Sequence, residues 1–135
     1  MFTIKMSYLK AFTNQFMNLV NELHELFPND NEISSSADAV ELLKKTNPRM
    51  LFSIFMDHIY PFKTEILKKN VDFFMVPENI KSSNKFIKTI NKLRLYWNTL
   101  TENTQNTIWL YFQVMIKLAE RILNQTDQTT SYRVI

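Results

Sequence analysis

Among 135 residues there is no glycine. Tight two-residue hairpins and phosphate-cradling turns depend on residues that enter positive φ without a Cβ clash, so a chain lacking them is poorly equipped for β-rich or nucleotide-wrapping folds. A P-loop and a glycine-fingerprint dinucleotide fold are excluded outright. Helices joined by Asn, Asp, Ser and Pro do without glycine, using Asn where a left-handed cap is needed. The expectation is therefore an all-α protein, a single compact bundle of five to six helices. The length suits one domain, since domains commonly run about 100–150 residues. Hydrophobic residues at 45% and charged residues at 21% supply a core and exclude global disorder.

The chain also lacks cysteine, which removes disulfides, thiol catalysis and thiolate metal sites together and fits a reducing compartment. Met1-Phe2-Thr3-Ile4-Lys5-Met6 offers no apolar run of secretory length. The longest greasy run, Ile108 to Ile116, is interrupted by Gln113 and falls well short of the roughly 20 residues a membrane helix needs. A cytoplasmic location without membrane insertion is expected.

Apolar periodicity places the helices. Leu9, Phe12, Phe16, Leu19, Leu23 and Leu26 form one stripe, with Ser7 as N-cap and Phe27-Pro28-Asn29-Asp30-Asn31 as terminator. A short helix is expected from Ser36, with Asp38 and Glu41 early and Lys44 and Lys45 late, as the helix dipole prefers. Asn47-Pro48 reads as N-cap and first residue of a third helix carrying Leu51, Phe52, Phe55 and Ile59. Phe62 to Lys69 make a fourth, closed by Lys68, Lys69 and Asn70. Val71 to Val76 is too short to classify by period, and Ser82 or Ser83 caps the next helix, which runs to about Trp97. Thr101 and Glu102 start the longest apolar helix, through Ile108, Tyr111, Phe112, Met115, Leu118, Ala119 and Ile122, before a loose tail over 125–135. Trp97, Trp109, Phe112, Phe16, Leu23 and Phe55 are the expected core.

Charge is uneven along the chain. Residues 61–95 hold eight basic and three acidic groups, whereas residues 1–60 hold five and seven. Between Asn79 and Thr101 there is no acidic residue, yet Lys81, Lys85, Lys88 and Lys92 recur at helical spacing. At about 100° per residue these four share one stripe, and Phe86, Ile90, Leu93 and Trp97 lie opposite it. Exposed helix faces usually mix signs for mutual support. An unbalanced lysine stripe, extended by Lys68 and Lys69, is thus the leading candidate binding surface. Lysine without arginine forks or base-reading side chains supports charge-driven docking rather than sequence readout.

Catalytic and metal chemistry has weaker support. His24 and His58 each neighbour one acid, Glu25 and Asp57, and neither falls in a metal-binding spacing, so no metal and no cofactor are expected. Glu22, Glu25, Asp30 and Glu32 could pair for acid/base work, but a solvated helix end and turn is the plainer reading. Ser34-Ser35-Ser36 reads as a cap, the aromatics as core rather than base-stacking platforms, and Met50, Met56, Met75 and Met115 as core filling rather than an adaptable groove.

Tyr96-Trp97-Asn98-Thr99-Leu100-Thr101-Glu102-Asn103-Thr104, then Thr107 through Met115, with Phe27-Pro28-Asn29-Asp30 and Lys45-Thr46-Asn47-Pro48-Arg49, resembles a pattern in small all-helical proteins of nucleocytoplasmic large DNA viruses. The resemblance spans most of residues 7–123, consists of core aromatics and caps, and carries no active site. It implies the host cytoplasm of an infected cell, in keeping with a lysine-, asparagine- and isoleucine-rich composition of the kind AT-rich genomes impose. The glycine-containing Asn-Trp-Gly-Arg stretch of viral apoptosis-regulator bundles is missing. The expected function is a non-catalytic protein–protein interaction module using the lysine face, with sequence-independent nucleic-acid binding through backbone phosphates as the alternative and an enzyme with a non-standard site third.

Overall fold

The computed structural model describes the backbone of residues 2–71 and 85–134, and the side chains of residues 8–71 and 88–125. Six α-helices and no strand occur among the described residues. They are α1 (Phe2–Leu26), α2 (Asn31–Thr46), α3 (Pro48–His58), α4 (Lys63–Leu67), α5 (Lys85–Tyr96) and α6 (Glu102–Val134). One 3₁₀ turn, Tyr60–Phe62, leads into α4, and another, Trp97–Thr99, follows α5. The all-α bundle expected from the glycine-free composition is what forms.

α1 is the central element, packing on α6, α2 and α3, while α5 lies on α2 and α4 lies on α6. Its stripe is buried as the spacing requires: Phe12, Phe16, Leu19 and Leu23 are fully enclosed. Phe12 meets Phe16, Phe52 and Phe55 edge to face, with centroids 6.1, 5.5 and 5.1 Å apart, which ties α1 to α3. Trp97 and Trp109 cross at 5.4 Å where α5 turns into α6. All six expected core residues are buried, and so are Ile90 and Leu93 on the inner side of α5. Phe86 lies outside the described side chains.

Several boundaries differ from the sequence expectations. α1 begins at Phe2, so Ser7 is inside the helix and not its cap. α2 begins at Asn31 rather than Ser36, because Asp30 accepts the backbone N–H groups of Glu32 and Ile33 at 3.0 and 3.1 Å and so starts the helix five residues earlier. Ser36 is consequently a fully buried mid-helix residue. The left-handed residue closing α4 is Lys69, at φ 56°, and not an asparagine. Around it Lys69 N–H bonds Ile66 C=O at 3.1 Å and Asn70 N–H bonds Glu65 C=O at 2.8 Å, the paired bonds of a Schellman cap. α6 keeps helical backbone to Val134, where the sequence placed a loose tail from Gln125. No proline or glycine lies in that stretch to stop it. The readings of Asp72 to Val76, Pro77-Glu78 and the Ser82 or Ser83 cap lie outside the described residues.

Other local expectations are met. Asn47 precedes Pro48 at the first position of α3. Thr101 caps α6 through its Oγ1, which accepts Thr104 N–H at 3.2 Å, and Gln105 Nε2 bonds Trp97 C=O at 2.9 Å to fasten the preceding turn.

Candidate functional site

The helical register of α5 presents Lys88 and Leu95 on one side, seven residues apart, opposite Ile90, Leu93 and Trp97. Lys88 is exposed and Leu95 is 64% exposed. Lys85 opens the helix, with its side chain outside the described residues, and Lys81 lies outside them altogether. Lys92, at the edge of the same stripe, has a different environment. Its side chain is 32% exposed and its Nζ stands 3.5 Å from Asp30 Oδ2. Of the stripe, then, Lys92 serves the fold by holding α5 against the α1–α2 turn.

Asp30 is the hub of that turn. Its carboxyl is only 5% exposed; Oδ1 takes the two N–H groups of α2, while Oδ2 accepts the Tyr96 hydroxyl and faces Lys92. The sequence reading of Asp30 as part of a solvated helix end is thereby corrected, because contacts from α5 enclose it. Burial works against its charge, but the Tyr96 hydroxyl, the Ile33 N–H and Lys92 outweigh burial and hold the carboxyl below its ordinary value. The same contacts push the Tyr96 phenol up, chiefly through the bond to Asp30, and raise Lys92 through the Asp30 charge. Phe27 stacks on Tyr96 with centroids 4.2 Å apart and planes 21° from parallel. These residues, with Asn29, Asn31 and Glu32, line an open hollow of about 670 Å³. Neither histidine lines it.

A second arrangement of the same kind fastens the 3₁₀ turn and α4 to α6. Tyr60 Oη donates to Glu120 Oε2 at 2.9 Å, and Lys63 Nζ pairs with the same oxygen. Lys63, then Tyr60, hold Glu120 below its ordinary value despite partial burial. Burial and the Glu120 acceptor push Tyr60 up. In both clamps the carboxylate stays ionised and the phenol and ammonium stay protonated at neutral pH. Neither set contains a group poised to exchange protons near pH 7.

Lys68 and Lys69, the other sequence candidates, are exposed at the end of α4, and Lys69 Nζ reaches Asn106 Oδ1 at 3.4 Å. α4 packs on α6 and α5 packs on α2, so Lys68 and Lys69 belong to a different helix pair from Lys88 and Lys92. Among the histidines, His24 has a buried Nδ1 with no hydrogen-bond partner, and His58 is half-buried. No group of three potential metal ligands occurs among the described residues. Of the four methionines weighed as a groove lining, Met115 is fully buried, Met56 packs on the core, Met50 is exposed and Met75 is outside the described residues.

The residues missed by the sequence reading are Tyr60, Tyr96, Lys63, Glu120 and Gln113. Gln113 is the polar interruption in the greasy run of α6, and its Nε2 bonds the carbonyls of Ile66 and Leu67 at 3.2 and 3.5 Å. That interruption was the one available signal. No described helix is long and apolar enough to cross a membrane. No protein-family model, curated protein or solved structure matches the chain.

Proposed function

We propose that the chain is a non-catalytic protein–protein interaction module that docks a partner or joins an assembly through the outward face of α5. The observation that carries this reading is Leu95, a large apolar side chain left 64% exposed one heptad beyond the exposed Lys88. An apolar anchor two turns along the same face from an exposed cation suits a partner helix or loop bearing an apolar residue and a carboxylate at matching spacing. The acid–base groups of the hollow support the same reading, since Asp30, Lys92 and Tyr96 are bound to one another. The resemblance to viral all-helical proteins and the lysine- and asparagine-rich, glycine-free composition support a setting in the host cytoplasm of an infected cell.

The test is capture from extracts of the source cells by the immobilised chain, alongside Lys88→Glu and Leu95→Asp variants. A partner retained by the wild type should be lost on both variants while circular dichroism stays unchanged. Retention that survives both substitutions sinks the reading. Sequence-independent nucleic-acid binding is the competing outcome, and the lysines of the same face are what would support it. Fluorescence anisotropy with labelled duplex and single-stranded oligonucleotides would then show binding that weakens with salt and with Lys88→Glu but not with the uncharged Leu95→Ser.

A further inference from the structure

A separate surface carries a second partner assignment. On α6, Leu110 stands 58% exposed as a ridge, and immediately beside it Gln15, Thr107, Tyr111 and Val114 join it around a crevice of about 250 Å³ between α1 and α6. On one flank runs the end of α4. Lys69 reaches Asn106 and Gln113 reaches the Ile66 and Leu67 carbonyls, so this segment lies alongside the stretch of α6 that has Leu110 at its middle. That flank contributes Leu67, 42% exposed, with Lys68 and Lys69 beyond it. On the other flank is α1, which runs antiparallel to α6: Tyr8 meets Arg121 at one end, and Glu22 and Glu25 act on Tyr111 at the other. The ridge therefore has a crevice next to it, a basic flank on the α4 side and an acidic flank on the α1 side, all at the level of residues 106–114.

We infer that this face pairs with a second copy of the chain about a two-fold axis running along α6. Rotation about such an axis turns each left flank onto the other copy's right flank. Leu110 of each copy then enters the crevice of the other, and Lys68 and Lys69 of each meet Glu22 and Glu25 of the other, the reciprocal pattern of an isologous contact. A two-fold axis across α6 would instead set lysine against lysine and glutamate against glutamate. Lys117 and Arg121 lie farther along the outward side of α6 and face their own counterparts in the parallel pair. Their repulsion makes the two helices diverge beyond Val114 and keeps the contact centred on Leu110.

Sedimentation velocity of the full chain from about 1 µM to about 500 µM, the range in which modest interfaces associate, tests this. A concentration-dependent dimer is expected, with Leu110→Asp weakening it at least about tenfold and leaving the helical circular dichroism intact. A chain carrying K68E and K69E, and another carrying E22K and E25K, should each associate less than the wild type, whereas an equimolar mixture should form a heterodimer because both flanks are then complementary. A chain that stays monomeric throughout the range, a dimer indifferent to Leu110→Asp, or a mixture no stronger than its components each overturns the assignment. The monomeric result would leave the ridge to a different partner. None of these outcomes bears on α5, so this pairing and the docking role proposed for α5 succeed or fail separately.

Discussion

Asp30 shows how much one side chain can organise. It caps α2, accepts a phenol from α5 and faces a lysine from α5, while sitting almost wholly out of solvent. Truncating it removes a helix cap, worth about 1 kcal/mol, and takes the charged acceptor from the half-buried Tyr96 hydroxyl, worth about 1–2 kcal/mol where water partly replaces it. Asp30→Ala should therefore cost about 2–3 kcal/mol in urea unfolding. Asp30→Asn keeps the capping oxygen but puts an amide NH2 where Oδ2 accepted the Tyr96 hydroxyl and faced Lys92, so it should cost about 1–2 kcal/mol, less than the alanine variant. Equal losses for the two variants would mean that the cap contributes nothing. Lys69 presents the opposite case, a side chain where glycine is easier. A non-glycine residue at φ 56° bears roughly 1–2 kcal/mol of Cβ crowding, partly offset by the greater unfolded freedom of glycine. Lys69→Gly should raise stability by about 0.5–1 kcal/mol, and Lys69→Ala, which keeps the Cβ, should not.

At the scale of elements, α4 shows why local pattern was an incomplete guide. It has five residues, too few to be stable alone, and it is fixed to α6 by a polar heptad series. Asn106, Gln113 and Glu120, at seven-residue steps on one side of α6, bond Lys69, the Ile66 and Leu67 carbonyls, and Tyr60 with Lys63 in turn. Gln113 adds a side-chain donor to the carbonyls of the last turn of α4, where Ile66 C=O also accepts Lys69 N–H. Gln113→Leu should cost about 1 kcal/mol, concentrated in faster hydrogen exchange of the α4 amides with little change in α1 or α3. Uniform acceleration across all helices would contradict a local role. The stripes of α1 and α6 were legible because burial by a neighbouring helix repeats at the helical period, and the Asn47-Pro48 start was legible because its cue is local. The start of α2 was misplaced because the dipole cues at Asp38 and Lys44 were followed and the capping oxygen of Asp30 was not. The lysine stripe was legible as a register, but the fate of Lys92 was not. Asp30, its partner, belongs to a different helix junction, and the Tyr96 contact that completes the clamp is 66 residues away in sequence.

For the whole molecule the two clamps act in the same direction on pH. Asp30 and Glu120 are depressed in the folded chain, so their contribution is complete above their unfolded values of about 4 and is lost as pH falls through the folded ones. Tyr60, Tyr96, Lys63 and Lys92 are all raised, so theirs is complete below about pH 10 and is lost as pH rises through the folded values. Stability should form a plateau between roughly pH 5 and 9 and fall on both sides. The acid limb is reinforced by the overall balance, because 16 lysines and arginines outnumber the 13 acids and stay positive as the acids lose their charge. That general repulsion acts on every variant, whereas the Asp30 contribution is specific. The difference in Tm between wild type and Asp30→Asn should be largest on the plateau and shrink steadily as pH is lowered below about 4, where protonation removes the charge that the substitution had removed already. Parallel curves that never converge would show that the Asp30 charge does not stabilise the fold, and that Lys92 and Tyr96 hold α5 in place by packing alone.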